Sequence, residues 1–351
     1  MKEIILLKDY LNRFGSKHDD YPYRSGMDKE KLKQYFDQFE LKAIFLSFDE
    51  INFRKSDFVG YPVVYTSQED LNYKYKSYIE DVVYGLELSG AKVIPAFKYL
   101  KANNNKIFME IIRDQLNIPE IKNIRSYHFG TLEDAMSKVE SFDYPLVVKG
   151  AEGAMSKNVK LATNKKELYK ALKQIAATKN IKYEFKDYLR QKKHKGYRRE
   201  SKFRNKFIIQ NYVPHLSHDW KIYVFGDHFF IFKRPVVNKN SFKASGGGYD
   251  NYYYGKDAEL PSGIFDFAQK IFREMDTPFV SLDVAYDYKT HEFFLLEFQL
   301  IYFGTAGILK KYSNEYFYKG KNKWVAIENH GDIEYEYAYA VNHYLKKQNI
   351  K

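Results

Sequence analysis

Short apolar runs alternate with helical patterns over residues 1–105. Four of the runs have the length of buried strands: 4–7, 43–48, 63–65 and 92–95. Between them, residues 29–39 and 78–89 repeat apolar side chains at helical spacing. Alternation of strands and helices is typical of a parallel sheet covered by helices. Residues 1–105 are therefore predicted to form a small α/β domain.

The next region, 106–206, mixes helical patterns with one pair of strands. A helix is predicted at 107–116. Two later helices begin with a Thr or Asn three residues before an acidic residue, the signature of a helix N-terminus: Thr131 with Asp134, and Asn164 with Glu167. Two strands and the loop between them lie in this region: 145–149, 150–157 and 158–162. A hairpin flanked by helices predicts a small lid subdomain.

Strand patterns dominate from residue 207 to residue 351. The predicted strands are 207–213, 221–225, 229–233, 280–286 and 293–299. Gly226 and Asp227 form the turn of one hairpin, and a second hairpin turns near Thr290. Helices are predicted at 263–275 and 335–347. The region is predicted to be an antiparallel sheet with helices.

The composition excludes several classes of protein. With 351 residues, of which 44% are hydrophobic and 29% charged, the chain is long and apolar enough to bury a core. Cysteine is absent, which excludes disulfides and thiolate chemistry and suits a reducing compartment. No stretch approaches the roughly 18 apolar residues of a membrane span. We therefore expect a cytoplasmic protein without a membrane span.

Much of the net charge of +12 is concentrated in one segment. Residues 182–206 hold eleven Lys or Arg against three Asp or Glu, which is a local net charge of +8. A charge run of this kind is usually a solvated helix or loop. The alternative is a contact surface for a polyanionic partner, and the sequence leaves both open.

Asp283 and Glu297 are acidic residues inside apolar strands. If the hairpin turns near Thr290, Asp283 lies opposite Glu297, and Gln299 shares the face of Glu297 because side chains alternate. Two carboxylates and an amide oxygen on one face are ligands of the kind that Mg²⁺ takes. The alternative is a hairpin whose carboxylates face solvent. The residues alone support the metal site and the solvent-facing hairpin equally.

Two further segments contain residues suited to phosphate. Lys149 ends an apolar strand beside the loop 150–156, where an ammonium and backbone amides meet phosphate oxygens in many proteins. Three successive glycines, 246–248, follow Lys243 and permit close approach of a ligand. A lysine at a strand end and an ordinary flexible loop are the alternatives. The sequence has neither a Walker A motif nor a Gly-x-Ser-x-Gly elbow, and its histidines lack metal spacing.

The order of these segments resembles that of the ATP-grasp superfamily. Their amino-acid sequences are most similar to those of the glutamate ligases that act on ribosomal protein tails. The matching segments are Lys106, 145–149, Glu152-Gly153, 207–213, Asp219 to Lys221, Arg234, 242–248, Asp283 and 296–299. The resemblance implies an α/β (α+β) fold in three parts. These are a Rossmann-like pre-ATP-grasp domain at 1–105, similar in layout to that of D-alanine–D-alanine ligase and glutathione synthetase, an ATP-grasp lid at 106–206, and a C-terminal antiparallel-sheet subdomain at 207–351.

The resemblance also implies a role for each matching residue. Contacts to ATP are implied for Lys106, Lys149, Glu152, Gly153, Ala154, Ser156, Gln210, Asn211, Tyr212, Val213, Asp219 and Lys221. In this set the two lysines bind phosphates, the loop Glu152–Ser156 closes over them, Gln210 to Val213 hold adenine through the backbone, and Asp219 faces the ribose. Two Mg²⁺ ions, with Mn²⁺ as a substitute, are implied at Asp283, Glu297 and Gln299. Catalytic roles are implied for Arg234, Lys243, Ser245 and Gly246.

The implied reaction joins a carboxylate to an amine with ATP, through an acyl-phosphate. The sequence does not identify the carboxylate, which the resemblance allows to be a small molecule, a peptide or a sugar acid, nor the amine. Cations and hydroxyls suited to an anionic substrate occur at Arg24, Lys74, Lys76 and Ser77, where a charged surface turn is an equal alternative. Relatives often form homo-oligomers. Two other functions stay open: a kinase of the same fold, and a non-catalytic protein that binds polyanions through 182–206.

Overall fold

The structure is a computed structural model. It describes residues 2–15, 25–54, 57–67, 71–153, 158–178, 180–214, 216–235, 251–321 and 323–348. The strands are β1 (Lys2–Lys8), β2 (Leu41–Ser47), β3 (Pro62–Tyr65), β4 (Lys92–Ile94), β5 (Ser126–Phe129), β6 (Leu146–Gly150), β7 (Val159–Ala162), β8 (Phe207–Asn211), β9 (His218–Phe225), β10 (His228–Pro235), β11 (Tyr253–Tyr254), β12 (Phe279–Asp287), β13 (Glu292–Gln299), β14 (Glu315–Lys319) and β15 (Trp324–Glu328). The α-helices are α1 (Lys29–Gln38), α2 (Lys74–Leu88), α3 (Phe97–Ala102), α4 (Lys106–Gln115), α5 (Leu132–Met136), α6 (Lys165–Ile175), α7 (Ile181–Lys193), α8 (Ile264–Met275) and α9 (Ile333–Lys347).

These elements belong to two compact units. The first unit consists of Met1–Asn103, Leu116–Ile121 and Leu216–Lys351. The second unit consists of Asn104–Gln115 and Lys122–His215. The N-terminal α/β region and the C-terminal sheet, which the sequence separates by more than a hundred residues, thus share the first unit.

The N-terminal sheet of the first unit is parallel, in the order β2-β1-β3-β4. Its central strand β1 is apolar on both faces, and Ile4, Leu6 and Leu7 are fully buried, as expected of a parallel strand covered on both sides. Asp28 caps α1 by accepting hydrogen bonds from the amides of Glu30 and Lys31. The predicted parallel α/β arrangement is confirmed.

The C-terminal sheet of the first unit is antiparallel, in the order β13-β12-β9-β10-β14-β15, and β11 pairs with β10. One hydrophobic core joins this sheet to the N-terminal region. It includes Leu6 of β1, Phe36 of α1, Phe225 of β9, Phe279 of β12 and Val341 of α9. This shared core packs the C-terminal sheet against the helix α9 and the N-terminal elements.

The second unit is built on the antiparallel sheet β5-β8-β6-β7. Its core combines side chains of this sheet with Leu132 of α5 and with Leu168 and Leu172 of α6. The caps predicted for these helices are present, because Thr131 accepts from the amide of Asp134 at 3.1 Å and Asn164 from that of Glu167 at 3.0 Å.

Strand β8 belongs to the second unit and not to the C-terminal sheet. It pairs with β5 and β6, and its side chains from Phe207 to Ile209 are fully buried. The boundary expected between residues 206 and 207 therefore falls inside this unit. None of the helices in the described part of the chain has the length and apolarity needed to cross a membrane.

Candidate functional site

Three neighbouring strands of the C-terminal sheet bring three charged residues into one row. Asp283 of β12 lies opposite Lys221 of β9 and opposite Glu297 of β13. Residues directly paired across strands have their side chains on the same face of a sheet. The predicted pairing of Asp283 with Glu297 is confirmed, and Lys221 extends the row to a third strand.

A β-bulge sets this register. Asp283 pairs with Glu297, but Val284 pairs with Leu295, so Leu296 is an extra residue on β13. Without the bulge, the turn observed between these strands would place Leu296 opposite Asp283. Gln299 pairs with Ser281, two residues from Asp283, and therefore lies on the face of the row, as predicted.

Asp219, Lys221, Arg234 and Asp283 form a network of buried ion pairs, which we call the charged cluster. Nζ of Lys221 donates to Oδ1 of Asp283 at 2.6 Å, and Nη2 of Arg234 is 2.9 Å from Oδ2 of Asp283. Arg234 also donates from Nε and Nη2 to both oxygens of Asp219, at 2.6 and 2.7 Å. Two carboxylates thus meet two cations, and this pairing makes their burial tolerable.

The cations of the charged cluster keep Asp283 ionised. Burial by itself raises the pKa of Asp283, but the charges of Arg234 and Lys221 outweigh burial and lower this pKa to about 2. The side chain of Asp283 is 18% exposed, whereas those of Lys221 and Arg234 are each 9% exposed. Near neutral pH the row therefore presents a carboxylate held in one orientation by two donors.

Glu297 and Gln299 differ from Asp283 because their side chains have no hydrogen-bond or ion-pair partner among the described residues. Both residues are partly exposed. Nowhere do the described residues gather three or more His, Asp or Glu side chains into a metal-binding group. The possible metal ligands are therefore those predicted from the sequence: the carboxylates of Asp283 and Glu297 and the amide of Gln299.

This donor set fits a hard cation. All three residues offer oxygen, which Mg²⁺ prefers, and those of Glu297 and Gln299 are not used within the described protein. Each oxygen of Asp283 receives one donor and retains a second lone pair. Residues Asp283, Glu297 and Gln299 can therefore provide ligands without breaking the charged cluster.

Asp219 is enclosed by its ion pair with Arg234. Asp219 is 4% exposed and uses both carboxylate oxygens to bind Arg234. Contact with a ribose stays a prediction for this residue. The pairing was available from the sequence, because a turn at Gly226-Asp227 places Asp219 opposite Arg234.

In the second unit, Lys106 is the first residue of α4 and binds the loop that follows β6. Its backbone amide donates to the carbonyl of Ala151 at 2.9 Å, and its Nζ donates to the carbonyl of Gly153 at 2.9 Å. Gly153 has φ +111°, a conformation that side chains disfavour. Glu152 pairs with Lys206 at 3.1 Å. This loop and the start of α4 are thereby linked.

Lys149 lies in β6, between Val159 of β7 and Ile208 of β8. Close to it is Glu110 of α4, which is 3% exposed. Burial raises the pKa of Glu110, and the charges of Arg113 and Lys149 partly counteract this. The sequence analysis missed Glu110, since nothing in its helical pattern relates it to a lysine of a later strand.

The segment Gln210–Val213 spans the end of β8, and one of its backbone amides has no partner among the described residues. The amides of Asn211 and Tyr212 donate to the carbonyls of Arg125 and Pro145, both at 3.2 Å. The amide of Val213 makes no hydrogen bond with another described residue. Gln210 is 2% exposed.

Three of the four residues predicted to bind substrate, Lys74, Lys76 and Ser77, lie at the start of α2. Lys74 and Ser77 are exposed. Lys76 is buried and pairs with Glu80 at 2.5 Å, and Glu80 also binds Lys101 at 2.9 Å. The charge of Lys76 is thus shared with a carboxylate that the sequence analysis did not consider. Several predicted site residues lie outside the described residues: Arg24, Ala154, Ser156, Lys243, Ser245 and Gly246.

Comparison with known proteins finds likeness in structure only. The sequence matches no protein-family model and no curated protein. The structure is similar to that of D-cycloserine synthetase, with a TM-score of 0.55 and 11% identity over 99% of this chain and 100% of that chain. It is also similar to the ADP complex of N5-carboxyaminoimidazole ribonucleotide synthetase, with a TM-score of 0.51 and 11% identity over 88% of this chain and 72% of that chain. At such identity the likeness shows a shared fold.

Proposed function

We propose that this chain, which has the ATP-grasp fold, is an ATP- and Mg²⁺-dependent ligase that joins a carboxylate to an amine. One observation carries the proposal. Glu297 and Gln299 present oxygens that have no partner among the described residues, beside Asp283, whose carboxylate is fixed by Lys221 and Arg234. A solvent-facing hairpin gives no reason to hold a carboxylate between two buried cations.

In this proposal Asp283, Glu297 and Gln299 hold magnesium, with manganese as a substitute. When bound, Mg²⁺ neutralises charge on the phosphates of ATP. Lys221 and Arg234 keep Asp283 ionised and oriented toward that role. Asp219 in turn fixes the guanidinium of Arg234 through two hydrogen bonds, so that its charge is positioned before the reaction begins.

The second unit is assigned to the nucleotide. Lys106 and Lys149 bind phosphate oxygens, and the loop that includes Gly153, which Lys106 already contacts, covers them. The amide of Val213, which has no partner among the described residues, donates to the adenine. Among the described residues, the ammonium group of Lys106 donates to a single carbonyl, that of Gly153.

The proposed chemistry proceeds in two displacements. An oxygen of the substrate carboxylate attacks the γ-phosphorus of ATP, the bond from that phosphorus to the bridging oxygen breaks, and ADP leaves. The nitrogen of the amine then attacks the acyl carbon, loses a proton, and expels phosphate. Exclusion of water protects the acyl-phosphate between the two displacements.

The test is a screen of carboxylates paired with amines, in the presence of ATP and Mg²⁺. We expect ADP and phosphate in equal amounts with a new C–N bond, detected by mass spectrometry. Glu297→Ala should lower this turnover by more than about a hundredfold, since even residues that only support metal ligands contribute ten- to a hundredfold. Glu292→Ala, an exposed change on the same strand, is the control.

Two results would overturn the proposal. A stable phosphoester in place of an amide would make the protein a kinase of the same fold. Full activity of Glu297→Ala would remove the metal assignment.

A further inference from the structure

Helix α7 exposes its apolar side chains and buries a charged one. Ile181, Phe185, Tyr188 and Leu189 are 81%, 62%, 41% and 49% exposed, respectively. Their spacing places them on one face of the helix, which we call the apolar stripe. Asp187, on the opposite side, is only 2% exposed. A helix held to its protein by packing shows the reverse arrangement.

Polar contacts attach α7 to the segment that follows it. The hydroxyl of Tyr197 and the amide of Glu200 donate to Asp187, the latter at 3.2 Å. Lys202 pairs with Glu184 at 3.3 Å. Among the described residues, the core of the second unit includes no side chain of α7. The apolar stripe therefore adds no side chain to the described core of this unit.

The surface around the apolar stripe is positively charged. Lys182, Lys186 and Lys193 follow one edge of it, and Lys192 lies within it near the end of the helix. All four lysines are exposed, as are Lys195 and Arg198 after the helix.

The acidic residues of this segment are engaged in hydrogen bonds or ion pairs. Glu184 and Asp187 are engaged as described above, and Glu200 pairs with Arg204 at 3.0 Å. The local excess of basic residues is thus displayed outward, beside the exposed apolar side chains.

We propose that this face of α7 binds an anionic lipid surface, lying in the headgroup region without crossing the bilayer. An interfacial helix has large apolar residues on one face and lysines at its border. The lysine stems lie along the apolar surface while the ammonium groups reach lipid phosphates. This proposal does not depend on the ligase activity.

Other occupants fit the face less well. Protein interfaces are depleted in lysine, which supplies the cations of α7 itself apart from Arg190. Nucleic acids offer phosphates and stacking surfaces, but they give Ile181 and Leu189 no apolar partner. A second copy of α7 would place lysines against lysines.

The test is cosedimentation of the full chain with vesicles, using phosphatidylcholine alone or phosphatidylcholine with phosphatidylserine. We expect binding only to the anionic vesicles, weakening with salt. The double variant Phe185→Ser/Leu189→Ser and the double variant Lys182→Glu/Lys186→Glu should each weaken binding by about tenfold or more.

Matched controls change exposed residues elsewhere. Leu88, at the end of α2, is 71% exposed, and Lys166 of α6 is exposed without an ion pair to a described residue. Leu88→Ser and Lys166→Glu should leave vesicle binding unchanged. The thermal midpoint of each α7 variant should match that of the unmodified chain, which separates a binding role from a structural one.

Three outcomes would overturn the proposal. The first is no binding to anionic vesicles, and the second is binding that the apolar-stripe variant leaves intact. The third is salt-sensitive binding to RNA or to an acidic peptide without any binding to vesicles, which would assign the face to that other class of partner.

Discussion

The charged cluster of the C-terminal sheet and helix α7 both combine acidic and basic residues, but they bury different groups. In the charged cluster, Arg234 and Lys221 are enclosed with the carboxylates they neutralise. In α7, Asp187 is covered while the lysines and the apolar stripe remain outside. The first arrangement prepares a fixed local charge pattern suited to chemistry. The second leaves uncompensated charge and apolar area suited to a partner.

The largest expected effect on stability is at Arg234. Arg234→Ala leaves Asp219 buried without its only described ion-pair partner, and we expect the free energy of unfolding to fall by about 3–5 kcal/mol. Urea denaturation followed by circular dichroism measures it. Lys233→Ala, one residue away with a 4.0 Å contact to exposed Glu259, should change it by less than about 1 kcal/mol. If both variants lost the same free energy of unfolding, the ion pairs of the charged cluster would not be what stabilises the sheet.

The next effect is a loss of stability in acid. The pKa of Asp283 is about 2 in the folded chain against an ordinary 3.8, so its ionised form favours the folded state. This contribution, about 2 kcal/mol, is complete above pH 4 and is lost as pH falls from 4 to 2. Denaturation at a series of pH values should show it, and Asp283→Asn should remove that part of the pH dependence. If the stability of Asp283→Asn depended on pH as that of the unmodified chain does, ionisation of Asp283 would not be the cause of the loss in acid.

The smallest expected effect is at the apolar stripe. Phe185→Ser should change the free energy of unfolding by no more than about 0.5 kcal/mol, because this side chain is 62% exposed. Phe207→Ser, in the core of the same unit and fully buried, should lower it by about 3 kcal/mol or more. Thermal or urea unfolding of the two variants compares them directly. A large loss in Phe185→Ser would mean that α7 packs through its apolar face.

The sequence predicted those features that depend on local pattern. The alternation in β12 and β13 and the turn between them placed Asp283 opposite Glu297, although the bulge at Leu296 could not be foreseen. The hairpin of β9 and β10 also implied the pairing of Asp219 with Arg234, and Glu80 stands one helical turn from Lys76. These two pairs were predictable but were not predicted.

Other features depend on contacts between distant segments. Periodicity tells which residues of α7 share a face, but it does not show that Asp187 is buried. That burial comes with contacts from the following segment, made by Tyr197, Arg199 and Glu200. Glu110 is close enough to Lys149 to feel its charge, because α4 packs near β8, the strand that pairs with β6. Strand β8 resembles the later strands in composition, and only its pairing with β5 and β6 assigns it to the second unit.

The central claim is that Glu297, supported by Asp283 and Gln299, holds the metal that accompanies ATP. Calorimetric titration with ATP, with and without Mg²⁺, tests it in the unmodified chain, in Glu297→Gln and in the control Glu292→Gln. We predict that Mg²⁺ strengthens ATP binding in the unmodified chain and the control, but not in Glu297→Gln. The same magnesium dependence in all three proteins would contradict the claim.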